Sequence, residues 1–475
     1  MELQIAMRFD ADYEMTIDGK GVKSTETVEV MNPATEEVIA RVPNCDRRQF
    51  DVAVNSALRA FHNWKSHPLN ERKTAMEKIA EQIEINSEQL GRLMTLEQGK
   101  PLADAKGEVQ RSAMWFRETA RKELPITRYV DEAGRRFESR HVPLGVVGAI
   151  TPWNFPVALG VWKIAPALLT GNTVVWKPSP FTPLCALKIG ELVRSFLPMG
   201  VLNVVSGDDQ LGPWMTEHPQ IQKVAFTGST LTGKRVMQSA AVNLKRLTLE
   251  LGGNDAAIVL PDVDVKSTAE KIFWGAFRNS AQVCIAAKRV YVHDDIYGEF
   301  SRALIDYAKT VKMGNGLESD TRLGPIQNKR QFLRVKELVE NAKREGLRFL
   351  TGGDAFSGKG YFVPVTILDN PPENSQVVKE EAFGPILPLM KFKDIDEAVQ
   401  RANDTDYGLA ASVWSADVEK AKKVAEQLEC GTVWINCIQV LSPQVPFGGH
   451  KQSGMGVEHA LEGLLEYTNI QTIVA

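Results

Sequence analysis

The sequence predicts an α/β protein with two doubly wound parallel-sheet domains and a small β element for oligomerisation. Three observations carry this. From His141 onward, short apolar runs alternate with segments of helical periodicity, as in parallel strands linked by crossover helices. A second series of such runs opens at Ala256 and continues to about Cys430. The charged stretch 127–140 contains β-formers but alternates poorly, and it is taken together with the tail 466–474. They are read as strands that pair between subunits.

Between Asp51 and about Lys100 apolar residues recur at helical spacing. They predict two helices parted near Pro68, because proline interrupts a helix interior. Val146–Ile150 (Val-Val-Gly-Ala-Ile) reads as a strand, and residues 157–169 as the helix after it. The alternation repeats through a strand at 173–176, a helix at 184–196, a strand at 201–205, a helix near Leu211, a strand at 223–226 and a helix at 231–240. A sheet wound in this way binds nucleotides in the crevice at the carboxyl ends of its strands. The second series starts with a strand at 256–260, passes through helical character at 265–278, and includes a helix at 331–344. The division expected is 1–120 with 143–252 as the cofactor-binding domain, 253–450 as the catalytic domain, and 121–142 with 463–475 as the oligomerisation element.

The 475 residues are 43% hydrophobic and 24% charged, with formal net charge -3. That length allows two or three domains, and the charge gives no reason to expect nucleic acid as a partner. Five cysteines (Cys45, Cys185, Cys284, Cys430, Cys437) are scattered without CxxC spacing. This argues against a disulfide framework or a thiolate metal site and for a reducing compartment. The seven histidines form no ligand pair at helical spacing, His62 and His67 coming nearest, so no metal is expected. Acidic Glu2, Asp10 and Asp12 occupy the N-terminus, unlike the basic start of a signal or transit peptide. No apolar run reaches the ~18 residues of a membrane span. The expectation is a cytoplasmic protein that stays off the membrane.

Three residues stand in settings that suit carbonyl chemistry. Cys284 follows Phe277-Arg278-Asn279-Ser280-Ala281-Gln282-Val283. Its thiolate would be a nucleophile, although a lone cysteine is more often buried core. Glu250 precedes Leu251, Gly252 and Gly253; it could act as a general base or cap a turn. Asn154 lies in Thr151-Pro152-Trp153-Asn154-Phe155-Pro156, where it could donate to an oxyanion or serve a turn. A thiol nucleophile and a carboxylate base are the pair needed to oxidise an aldehyde to an acid through a thioester. The loop Phe226-Thr227-Gly228-Ser229-Thr230-Leu231-Thr232-Gly233 follows a predicted strand and opens a predicted helix. Backbone N–H groups there suit a pyrophosphate, though a glycine-rich turn alone does not identify one.

On these motifs the chain resembles the aldehyde dehydrogenase superfamily almost end to end, in its NAD(P)-dependent, hydrolytic, non-acylating branch. The resemblance implies a Rossmann-like cofactor domain and a small-molecule aldehyde as substrate. Cys284 would attack the aldehyde, while Asn154 and the Cys284 backbone N–H hold the oxyanion. Glu250 would direct water onto the thioester, a base that acyl-CoA-releasing relatives typically lack. One departure is Ala281, where the family usually has glycine.

For the cofactor the resemblance implies Ile150, Thr151, Pro152 and Trp153, then Lys177 and Ser179 at the adenosine ribose. Pro180 stands where many NAD-specific relatives carry Glu, so NAD is expected with NADP possible. Gly207 and the loop residues Phe226, Thr227, Gly228, Ser229 and Gly233 continue the set. Leu251 and Gly252 close it, with Glu381 and Phe383 of Glu-Ala-Phe-Gly-Pro at the nicotinamide ribose and ring. Pro446-Phe447-Gly448-Gly449 and Lys451-Gln452-Ser453-Gly454 match a C-terminal segment near the substrate mouth.

Around the substrate it implies Phe155, Leu159, Trp162, Arg278, Val283 and Ile285. Trp162, Leu159 and Ile285 suit an apolar tunnel for medium-chain aliphatic or aromatic aldehydes. Arg278 opens a second reading. Succinic semialdehyde dehydrogenases use an arginine there for the distal carboxylate, but carry a second one where Trp162 stands. Arg278 could instead be a helix-end residue paired with an acid, Glu108 being the candidate. A third reading is a non-catalytic, crystallin-like protein on the same fold; the retained Cys284, Glu250, Asn154 and Lys177 weigh against it. The resemblance also implies a homodimer or homotetramer.

Overall fold

The computed structural model describes residues 8–354 and 358–475. Glu2 and the start of the expected cofactor domain lie outside the described residues, as do positions 355–357 of the expected catalytic domain.

One sheet has eight strands, in the order Lys20–Val22, Met15–Ile17, Leu202–Val204, Thr173–Lys177, Val146–Ile150, Ile221–Thr227, Arg246–Glu250, Gly454–Met455. The inner five are mutually parallel, and the flanking strands join antiparallel. Val146–Ile150 comes first of these five in the chain yet lies in their centre. The next two strands build out to one side and the last two to the other. This reversal opens a crevice at the carboxyl ends of the central strands. Val146–Ile150 and Thr173–Lys177 are buried at every position, which is why they read as unbroken apolar runs instead of alternating ones. Ile150 pairs with Lys177 and with Phe226, and Thr227 pairs with Glu250. Adjacent strand ends therefore present several of the expected site residues together.

A second sheet has seven strands, in the order Phe349–Thr351, Thr366–Asp369, Ile386–Phe392, Arg289–His293, Ala256–Val259, Ala410–Trp414, Thr432–Ile435. All pairings are parallel except that of Phe349–Thr351. Separate apolar clusters cover its two faces, one around Ile258, Leu338 and Met390, the other around Val259, Phe273 and Leu389.

Three elements differ from expectation. The region 51–100 holds three helices in place of two, namely Arg47–Trp64, Leu69–Ile85 and Ser87–Gln98. Pro68 does part the first two. Asn86 ends the second and starts the third, and Gly99 at φ 96° stops the third, a left-handed cap for which glycine is suited. A fourth helix, Leu102–Ala120, begins behind Pro101. The stretch 127–140 forms two strands, Ile126–Val130 and Arg136–Pro143, about a turn in which Asp131 accepts from the N–H groups of Ala133 and Arg135. The tail Thr468–Val474 pairs antiparallel with Arg136–Pro143 of its own chain, so these stretches first complete each other. Finally, the helix expected at 184–196 stops at Val193. Among the described residues no helix is long and apolar enough to cross a membrane.

Candidate active site

The strand Arg246–Glu250 carries Glu250 at its carboxyl end, between Thr227 on one side and Gly454 on the other. The Glu250 side chain is 3% exposed, and its Oε1 has no hydrogen-bond partner among the described residues. Burial pushes its carboxyl well above the usual range; Glu458 adds to this and Lys163 opposes it. A carboxyl raised in this way is, once ionised, a stronger base than an exposed one.

Cys284 lies beyond the helix Val265–Phe277, after a turn in which Asn279, Ser280 and Ala281 have φ of 52°, 53° and 61°. Three successive left-handed residues are strained for L-amino acids, and surrounding bonds hold them there. Ser280 Oγ donates to the Gly324 carbonyl at 2.6 Å. Gln282 Nε2 donates to the Asn279 carbonyl at 2.8 Å, while its Oε1 accepts from the Gln327 N–H at 2.8 Å. The left-handed φ at Ala281 explains why glycine is usual at that position. Cys284 itself is partly exposed. Burial pushes its thiol up to about 12, with Lys288 pulling it down and Glu250, Asp255 and Glu381 adding to the rise.

Asn154 is cross-tied to this turn. Its Nδ2 donates to the Gln282 carbonyl at 3.0 Å, and its own carbonyl accepts from Asn279 Nδ2 at 3.2 Å and Lys100 Nζ at 2.9 Å. An amide nitrogen has two hydrogens, so one remains for a ligand. Cys284, Glu250 and Asn154 are thus brought together, Asn154 by its bond to the Cys284 turn and Glu250 by its action on the Cys284 thiol.

Several of the cofactor candidates follow the strand ends of the first sheet. Ile150, Thr151, Pro152 and Trp153 leave the central strand, and Trp153 meets Phe383 edge-on at 5.3 Å. Lys177 is buried and lowered to about 8 by desolvation, with Asp209 and Asp208 opposing. Its Nζ has a 3.5 Å contact to the Pro178 carbonyl, which leaves donor capacity for a ligand. Ser179 is buried, and Pro180 follows it. Thr227 Oγ1 is buried without a partner. Phe226 packs in the core and the Gly228 N–H donates to the Glu250 carbonyl at 3.0 Å. Ser229 caps the helix Thr230–Ala240 through the Thr232 N–H. A Cβ on Gly233 would lie 2.5 Å from Leu251, one on Gly207 2.7 Å from Leu211, and one on Gly252 2.3 Å from Glu381 Oε2. The spare donor capacity of Lys177 and the Thr227 hydroxyl, partnerless among the described residues, suit the polar groups of a dinucleotide, while the glycine approaches are packing against this chain's own side chains.

On the substrate side Val283 and Ile285 are buried beside Trp434 and Phe447, with Phe155, Trp162, Cys284 and Cys437 packed against them. Leu159 is buried on the helix Ala158–Leu169. Trp162 stands edge-on to His459 at 4.3 Å, and Trp115 is 5.9 Å from Trp162. Arg278 borders a cavity of about 520 Å³ shared with Trp274, Cys437 and Gln439. Its acidic partner is Asp104, at 3.7 Å. The Glu108 pairing expected from sequence is not formed, because Glu108 is taken by Lys100 at 2.6 Å and by the N–H groups of Val157 and Ala158.

Sequence reasoning missed Lys163, Glu458, His459 and Lys288. A signal existed for the first: Lys163 interrupts Val161-Trp162-Lys163-Ile164-Ala165, and a charge inside an apolar helix face needs a buried partner. Glu458, 295 residues away in sequence, is that partner.

A cysteine, a buried carboxylate and a side-chain amide beside a doubly wound sheet suit carbonyl chemistry. Residues 21–473 match the model of the aldehyde dehydrogenase family. The chain is 42% identical over 462 residues to retinaldehyde dehydrogenase 3 of Homo sapiens, covering 95% of this chain and 90% of that one. Two solved structures superpose at TM-score 0.94. One is an E. coli NADP dependent enzyme, 36% identical with 98% of each chain covered. The other is betaine aldehyde dehydrogenase from Staphylococcus aureus in complex with NAD+, 35% identical with 98% of this chain and 95% of that one covered. The chain belongs to the aldehyde dehydrogenase family and is an aldehyde dehydrogenase.

Proposed function

We propose that this chain oxidises aldehydes to carboxylic acids with NAD, accepting NADP as well, through a thioester on Cys284. The observation that carries this reading is the convergence of Cys284, the amide of Asn154 and the unpartnered, buried oxygen of Glu250. The Cys284 thiolate adds to the aldehyde carbon, and the oxyanion lies with the Asn154 amide and the Cys284 N–H. When bound, the nicotinamide supplies the acceptor for the hydride that leaves as the thioester forms. Glu250 then takes a proton from water, whose oxygen attacks the thioester; the acid departs and the thiol is restored. Lys177, Ser179, Thr227, Ser229, Glu381 and Phe383 are the residues proposed to hold the cofactor. Support for both cofactors comes from the NAD+ complex of the betaine enzyme and the NADP-dependent E. coli relative. Pro180 removes one carboxylate that would repel a 2′-phosphate, while Asp208 and Asp209 act on Lys177 and favour NAD.

The substrate class proposed is apolar, medium-chain aliphatic or aromatic aldehydes. The aromatic wall of Trp162, Trp115 and Phe447 supports it, and Arg278 is engaged by Asp104. The domain division 1–120 with 143–252, 253–450, and 121–142 with 463–475 is proposed on the two sheets and the hairpin. The exposed apolar residues Ile126, Tyr129 and Val130 on that hairpin, with Ile470 and Val474 on the tail strand paired to it, support a homodimer or homotetramer. A cytoplasmic location is proposed with it. Initial rates with NAD on hexanal and succinic semialdehyde test the substrate reading. A higher kcat/KM for hexanal supports it. A preference of ~tenfold for the semialdehyde, ~1.4 kcal/mol, replaces it with carboxylate recognition by Arg278.

A further inference from the structure

We infer that Lys288 is a positioning residue that links the carboxylate of Glu381 to the backbone of the Cys284 turn, so that filling the cofactor's ribose site changes the reactivity of the thiol. This rests on the reading that Glu381 holds that ribose. The Lys288 side chain is 6% exposed. Its Nζ donates to the Cys284 carbonyl at 2.5 Å and lies 3.2 Å from Glu381 Oε1. Its backbone N–H donates to the Asp255 carbonyl at 2.9 Å.

The surroundings allow little other placement. Glu381 Oε1 also accepts from the Gly253 N–H at 3.2 Å. A Cβ on Gly253 would lie 2.9 Å from the Cys284 carbonyl oxygen and 2.6 Å from Asp255 Oδ1. The two glycines after Glu250 therefore thread between Glu381, Asp255 and the Cys284 carbonyl, around one ammonium. The acids facing Lys288 are Glu381 and Asp255. Arg289 is turned elsewhere, donating to the carbonyls of Asn254 and Ala402 at 2.8 Å each. Around the Cys284 thiol, Lys288 favours the thiolate, while Glu250, Asp255 and Glu381 oppose it.

The coupling follows from charge sharing. With the ribose site open, Lys288 serves the Glu381 carboxylate. Ribose hydroxyls donating to Glu381 take over part of that role, and more of the ammonium's field falls on Cys284. Cofactor binding then raises the thiolate fraction.

The test is the rate of Cys284 alkylation by iodoacetamide, with and without NAD, alongside NAD binding by quenching of protein fluorescence. The wild-type protein is expected to bind NAD and alkylate faster with it. Lys288→Met is expected to alkylate about tenfold more slowly, a rise of about one pKa unit, and to lose the response to NAD. Lys288→Arg is expected to restore part of both. Glu381→Gln tests the link from the other side, should Lys288→Met fail to fold: alkylation without NAD quickens and the NAD response disappears. The inference is overturned if a folded Lys288→Met matches wild type in rate and NAD response, or if Glu381→Gln leaves both unchanged. Absence of NAD quenching in the wild type would instead overturn the cofactor reading beneath it.

Discussion

Lys163 donates to Glu458 across 2.5 Å, with both side chains buried, and the two act on Glu250 with opposite signs. Among the described residues Glu458 Oε2 and Glu250 Oε1 both lack hydrogen-bond partners. Burial, the first cause, is what leaves the Glu250 carboxyl raised.

A pH dependence follows. Only the ionised Glu250 can accept a proton from water, so thioester hydrolysis is lost as pH falls below its raised pKa and gained as pH rises through it. Glu458→Gln leaves Lys163 opposed by one acid fewer. That favours the carboxylate of Glu250 and moves the acid limb to lower pH. Single-turnover hydrolysis of the acylated enzyme across pH measures this; a limb that moves up contradicts it. The same substitution breaks a buried ion pair, at a cost of ~3–5 kcal/mol, so Tm falls with it.

Asn154→Ala removes the side-chain donor to the oxyanion. We expect kcat to fall by ~10²–10³. The readout is the steady-state rate on hexanal, with circular dichroism as a check, since Gln282 also loses its 3.0 Å partner. A fall below threefold or so would place the oxyanion elsewhere.

Ala281→Gly relieves a left-handed residue at φ 61°. That conformation costs ~1–2 kcal/mol for a non-glycine, against ~0.5–1 kcal/mol of added chain entropy in the unfolded state. Tm should hold or rise. Ala276→Gly, within the helix Val265–Phe277, should lower Tm, because glycine there costs ~1 kcal/mol. Equal losses at both sites would show that Ala281 carries no strain.

Arg278→Ala should leave kcat/KM for hexanal unchanged and alter KM for succinic semialdehyde by less than about threefold. The Asp104 pair is 3.7 Å apart with both side chains about one-third exposed, and such pairs contribute ~1 kcal/mol or less. A tenfold rise in KM for the semialdehyde alone would make Arg278 a ligand for substrate.

The parallel sheets were legible because their central strands are buried on both faces, so Val146–Ile150 and Thr173–Lys177 appear as bare apolar runs. The motifs around Cys284, Glu250 and Asn154 were legible as local strings. What local strings do not carry is long-range pairing. Glu108 and Asp104 are both remote in number from Arg278, and only the fold assigns Glu108 to Lys100 and to two backbone N–H groups. The break at Asn86 has neither proline nor glycine to mark it. Lys288 carries no local signal of its own, and only the turn places it between Cys284 and Glu381.

Cys284 is proposed to carry the acyl group, with Glu250 directing its hydrolysis. Stopped-flow reduction of NAD with Glu250→Gln and hexanal tests it most directly. The account predicts a burst of reduced cofactor close to one per active site, followed by turnover slowed by ~10²-fold or more. Wild-type steady-state turnover, or a uniformly slow rate with no burst, would contradict it.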